Sequence, residues 1–256
     1  MENLFAAHYQ GEPFRLFDTA HLLALLSVLA ISLAIVWYGQ RKPTEKERVW
    51  LRNGLAIFSL ANQIVWQLWQ WWAGVWDVAY ALPLHLCTLS GFLCAWMLFK
   101  RSQRLYAFLY FWCLAGSGNG LFTPDLLIYG FPHFRFWIFF TAHGAVVLAV
   151  VYMTAVEGMR PTWRTLGQAI VVTNLYLLVA LTANYVTGGN YMYISRPPEF
   201  ASFIDLLGPW PWYIVWLEVL GIAMFVLVYL PFALHDWFAR RRPAEPPQIQ
   251  FLSGKR

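Results

Sequence analysis

Cys87, His143 and Glu218 are the residues of this 256-residue chain whose types together fit covalent acyl chemistry. A thiol attacks an ester carbonyl, an imidazole takes and returns the proton, and a carboxylate orients the imidazole. No local spacing joins the three, so only a fold could bring them together. Cys87 sits in ALPLHLCTLSG, positions 81–91, two residues after His85. On a helix running from Pro83, that offset turns the two side chains about 200° apart, so a histidine from another element, His143, is the better base for Cys87. A thiolate in an apolar interior needs such a base or a nearby imidazolium. Thr88 and Ser90 are alternative nucleophiles, and Asn119 or Gln67 could donate to the developing oxyanion. The bland alternative is that His85 and Cys87 are satisfied by local hydrogen bonds and packing.

The elements that must position these residues are membrane helices. With 59% hydrophobic and 12% charged residues, the chain has about half the charge of an ordinary soluble domain. Seven apolar runs approach the roughly 20 residues needed to cross a bilayer. They lie at about 19–38, 51–73, 82–99, 105–121, 136–156, 166–186 and 210–234. The predicted fold is all-α, a polytopic membrane bundle of seven transmembrane helices. One domain is expected over 1–239, with a basic, disordered cytoplasmic tail over 240–256.

Lys and Arg set the expected orientation, because cytoplasmic loops retain positive charge during insertion. Fifteen of them fall in the loops after spans 1, 3 and 5 and in the tail, against Arg15, Arg135 and Arg196 on the other side. The N-terminus is therefore expected outside and the C-terminus in the cytoplasm of a bacterial cytoplasmic membrane. The first span is expected to direct insertion, since no cleavable signal peptide is evident. The net charge of +5 is a topology signal rather than a nucleic-acid footprint. Cys87, Cys94 and Cys113 all fall within spans, where a disulfide framework is not expected.

At 1.5 Å of rise per residue, the interior polar groups share one layer in the outer half of the bundle. His21, His85, Cys87, His143 and Glu218 lie on inward-running spans; Gln67, Gln70, Ser117, Asn119 and Asn184 end the outward-running ones. Gln63, Gln67 and Gln70 follow one helical face, which is expected to look into a polar chamber or to serve as interhelical glue. His85, Gln67, Gln70, Asn119, His133, Arg135, Asn184, Asn190 and Tyr191 are the candidate binding residues, and the connection holding the last two is expected to cap the chamber with Gly188, Gly189, Tyr193, Pro197 and Pro198. The expected ligand is a membrane lipid or a small molecule. No metal and no cofactor are expected: no helical H-x-x-x-H pair is present, and no lysine between Lys100 and Lys255 could hold retinal. A proton-coupled or small-solute transporter of three, one and three spans is the rival reading, since Glu218 and the histidines could carry protons.

LPLHLC at 82–87, TPDLLIYGFPHFRFWIFFTAHG at 123–144 and NYVTGGNYMYISRPP at 184–198 together resemble the bacterial YwaF-like integral membrane family. The resemblance spans most of the chain. It implies kinship with a eukaryotic branch of membrane lipid acyltransferases that use an embedded cysteine and histidine, and with small multi-span lipid hydrolases that use threonine and histidine. His143 matches the histidine of the reacting pair. In the eukaryotic branch the cysteine directly precedes the span 3 histidine, whereas here Leu84 precedes His85 and the thiol, Cys87, follows it.

Overall fold

The computed structural model describes residues 4–197 and 206–241. Every regular element among them is helical. They are α1 (Thr19–Gln40), α2 (Glu45–Trp72), α3 (Leu86–Lys100), α4 (Gln103–Phe111), a π-helical turn (Trp112–Ser117), α5 (Gly118–Phe122), α6 (Phe134–Ala155), α7 (Trp163–Thr187), a 3-10 turn (Tyr191–Tyr193) and α8 (Trp212–Arg240). Four helices, α1, α6, α7 and α8, are long and apolar enough to cross a membrane. The other expected spans are shorter or more polar, and the reasons are local.

α2 begins six residues before the apolar run, because Thr44 and Glu47 form a reciprocal capping box that extends the helix into the polar stretch. α3 begins four residues after the expected start at Leu82. Pro83 disfavours helix at the residue before it, and the Leu82 N–H is bonded to the Tyr191 hydroxyl instead of to a helical carbonyl. The segment expected as the fourth span is α4, the π turn and α5 in series. The wider turn carries Gly116, and Gly120 follows four residues later on the same side, so both line one cavity. α7 is set by a Thr162–Thr165 box at its start and by Gly188, at φ 69°, at its end. α8 runs to Arg240, so the expected domain end at 239 falls inside a helix. Pro198 and residues 242–256 of the expected tail lie outside the described residues.

α6 is the centre of the bundle. It packs against α1, α2, α3, α4 and α5, and 67% of its apolar window is buried, against 11% for α1 and for α8. Leu22, Leu26, Leu29 and Leu33 on α1, and Val215, Val219 and Leu227 on α8, are exposed. Apolar faces of this extent are stable only against lipid or another apolar surface.

The two ends of the bundle differ. At one end, Glu157 is buried between Arg52, at 2.8 Å, and Arg101, at 2.6 Å, and it also accepts from the Tyr152 hydroxyl. These contacts tie the first half of α2, the C-cap of α3 and the second residue after α6. At the other end, the segment before α1 forms a strap. Its carbonyls at Phe5, Ala6 and Ala7 are held by Trp69, His133 and Tyr129, and Phe14 N–H donates to Leu127. The strap fixes the connection between α5 and α6, where Asp125 sits, and the start of α6, which carries Arg135.

Candidate functional site

Between the strapped connections and the helices lies a cavity of about 690 Å³. Cys87 and His143 both line it, and thiol and imidazole interact with each other. Cys87 is the second residue of α3, and His143 stands midway along α6, so packing of α3 against α6 creates the pair. The Thr88 hydroxyl is 4.0 Å from Sγ and also lines the cavity; Ser90 does not.

The imidazole has a defined orientation. His143 Nδ1 is 2.9 Å from the Phe139 carbonyl, one helical turn back, and the ring stacks on Phe139 at 4.0 Å between centroids. A carbonyl only accepts, so Nδ1 carries the proton and Nε2 of the neutral ring is left as the acceptor for the thiol. Gly120 backs the ring: a Cβ at that position would stand 3.1 Å from Cδ2 and 3.2 Å from Nε2. Of the glycines in GSGNG, Gly120 is the one that the close approach of the imidazole requires.

His85 is the N-cap of α3 with extended backbone, so the 200° helical offset does not apply to it. Its Nδ1 accepts from the Met192 N–H at 3.4 Å, which directs it to the connection after α7 and away from Cys87. Because His85 makes no side-chain cap, the first-turn N–H groups of α3 lack a capping acceptor. They belong to the same first turn as Cys87, at the partial positive end of the helix.

The other expected residues divide clearly. Gln70, Arg135 and Asn190 line the cavity, and Gln70 Nε2 is buried without a hydrogen-bond partner. Gln67 lies outside it: its amide donates to the Ala81 carbonyl at 2.7 Å and accepts from the Trp76 indole at 3.0 Å, pinning the connection before α3. Asn119 is exposed and is not in the lining. His133 caps α6, accepting from Arg135 N–H at Nδ1 and donating from Nε2 to Ala6, so both ring nitrogens are used structurally. Asn184 clasps the backbone of Tyr191 in both directions, and the Tyr191 hydroxyl donates to Val78 at 2.6 Å.

Glu218 is the main departure from expectation. It accepts from Asn174 at 2.7 Å across the α7–α8 contact and is absent from the cavity lining. The structure therefore does not bring it to His143, and the Phe139 carbonyl occupies the position expected for its carboxylate. α8 packs on the far side of the π turn, which separates it from α6.

The connection after α7 contributes Asn190, Met192, Tyr193 and Arg196 to the cavity lining. Gly189 is needed there, since a Cβ would stand 2.3 Å from the Ala79 carbonyl. Sequence reasoning missed Asp125, which lines the cavity and accepts from the Tyr193 hydroxyl at 3.2 Å. Burial pushes its carboxyl above the ordinary value, against the opposing influence of Arg135. An acid placed between Pro124 and an apolar run was the available signal. Among the described residues, no group of three His, Cys, Asp or Glu side chains is placed to hold a metal ion.

Exposed apolar helices around a cavity lined by a half-buried thiol and imidazole define a helical membrane protein with an internal cavity. The family comparison agrees with that class: the chain belongs to the TMEM164 family, whose model matches residues 16–229. No curated protein and no solved structure matches it.

Proposed function

We propose that the protein transfers or hydrolyses acyl chains of membrane lipids through a thioester on Cys87. The observation that carries this reading is the Cys87–His143 pair, with Nδ1 held by the Phe139 carbonyl and Nε2 open to the thiol. As Sγ attacks the ester carbonyl carbon, its proton passes to Nε2 and the carbonyl electrons move to oxygen. The first-turn N–H groups of α3 take the oxyanion role expected of Asn119 and Gln67. Collapse of the tetrahedral adduct breaks the ester C–O bond, and the leaving alkoxide takes the proton from Nε2. An incoming hydroxyl or water then gives its proton to Nε2, attacks the thioester and releases Cys87, which is reprotonated. The apolar lining from Leu82, Leu86, Ile138 and Phe139 suits an acyl chain.

The YwaF-like resemblance supports the same chemistry. The charge asymmetry supports seven spans in a bacterial cytoplasmic membrane, with the chamber toward the outer face and the Glu157 cluster toward the cytoplasm. Tyr193→Cys and Arg101→Cys in a background free of other cysteines should label from opposite sides with an impermeant reagent. Outside labelling of Arg101→Cys would reverse the orientation.

The catalytic reading is tested with purified protein in bilayers of mixed phospholipids, following lipid products and acyl-Cys87 by mass spectrometry. His143→Ala should reduce turnover about 100-fold or more and Cys87→Ala should abolish the acyl-enzyme. Equal products from all three proteins would refute the mechanism. Solute flux without lipid products would favour transport.

A further inference from the structure

Two arginines that the acyl chemistry does not use, Arg135 and Arg196, line the same cavity as Cys87 and His143. Among the described residues neither has a carboxylate within 4.0 Å, although five other basic residues do. Arg135 is held in place without being neutralised. Its guanidinium lies 4.7 Å over the Tyr129 ring and 5.7 Å from Trp66, and its hydrogen bond to position 125 is a long one, 3.5 Å, to the backbone carbonyl. The Asp125 carboxylate is engaged elsewhere, by the Tyr193 hydroxyl. Tyr193, Arg135, Asp125 and Cys87 all line this one cavity, so the charged wall and the thiol share it.

The fixed charges of the lining are Arg135 and Arg196 against Asp125, a net of one positive charge. A phosphodiester carries one negative charge and presents two equivalent oxygens to guanidinium donors. In a glycerophospholipid only glycerol carbons separate that group from the ester carbonyls. We propose that Arg135 and Arg196 form a phosphodiester subsite beside the Cys87–His143 pair. It seats the headgroup phosphate of a glycerophospholipid and so delivers the ester to Sγ. This rests on the acyl-transfer reading for its purpose, but the binding itself needs no catalysis.

The test therefore uses a Cys87→Ala host in nonionic detergent, with bound lipid counted by native mass spectrometry. The probes are phosphatidylglycerol, whose one charge is the phosphodiester, and the diacylglycerol with the same chains. Arg135→Gln and Arg196→Gln should each weaken phosphatidylglycerol binding about tenfold or more while leaving diacylglycerol binding unchanged. Arg135→Lys should recover part of the loss, which a merely misfolded variant would not. Excess inorganic phosphate should not displace the lipid; full displacement would identify free phosphate as the ligand and overturn the lipid assignment. Should Arg135→Gln fail to fold, Arg196→Gln on its connecting segment and Arg135→Lys still decide. Unchanged preference for phosphatidylglycerol over diacylglycerol in these variants would overturn the subsite. Arginine-dependent binding with no acyl product from the Cys87-containing protein would instead leave the subsite standing and remove the catalytic reading.

Discussion

Replacing Gly120 by alanine tests the pair without touching either reacting residue. The new Cβ would meet His143 Cδ2 at 3.1 Å and Nε2 at 3.2 Å, where ordinary contact begins at 3.4 Å, so the ring must retreat by a few tenths of an ångström. It has little freedom to do so. Nδ1 is tethered to the Phe139 carbonyl at 2.9 Å and the ring stacks on Phe139, so the displacement falls on the Nε2 side that faces Cys87. A misplacement of about 1 Å can cost roughly 100-fold, and a few tenths of that corresponds to a loss of roughly 3- to 10-fold. Stability should move the other way or hardly at all, since alanine in place of a helical glycine contributes about 0.5–1 kcal/mol. Two measurements on Gly120→Ala in bilayers read this out: the rate of Cys87 alkylation by a permeant maleimide, followed by peptide mass spectrometry, and the yield of acyl product. Both should fall together, with His143→Ala falling further, to about 100-fold or more. Alkylation and turnover at wild-type rates in Gly120→Ala would refute the assignment of Nε2 as the base, because the contact that must displace it would have no consequence.

Asn184→Ala leaves the buried N–H and carbonyl of Tyr191 without partners and should cost about 1–3 kcal/mol, read as a lower melting temperature in detergent. Glu157→Ala strips the buried Arg52 of its countercharge and should destabilise by roughly 3–5 kcal/mol; a melting temperature within error of wild type would show the cluster to be solvated. Asp125→Asn should flatten the pH dependence of stability. Because burial raises the Asp125 carboxyl in the fold, its contribution is fully present below the ordinary aspartate value of 3.8 and is lost as pH rises through the raised value. The asparagine form should therefore melt higher than wild type at neutral pH, with the gap closing below pH 3.8. A constant gap across that range would assign the effect to packing.

The membrane class, the helical fold and the polar layer follow from composition and periodicity alone. Hydrocarbon imposes a length and an apolarity that any spanning helix must meet, and those are properties of consecutive residues. His143, Cys87 and Gln70 were legible as ionisable or polar groups at a common depth, because depth is a count along the chain; Arg135 and Asn190 were legible only as polar candidates at the outer side. Which way each one faces is not. Glu218 shares the layer with His143 yet bonds Asn174, since α8 packs behind the π turn. His85 stands two residues from Cys87 yet serves the connection after α7, because Pro83 delays α3 and leaves His85 in extended backbone. Gln67 and His133, polar at the right level, are consumed by holding connections in place. The pairing of Cys87 with His143, the Phe139 carbonyl that sets the tautomer and the glycine that makes room for the ring arise from three helices meeting. Hydropathy is one-dimensional, whereas the azimuth of a helix in a bundle is set by packing with its neighbours; only the tertiary structure could decide it.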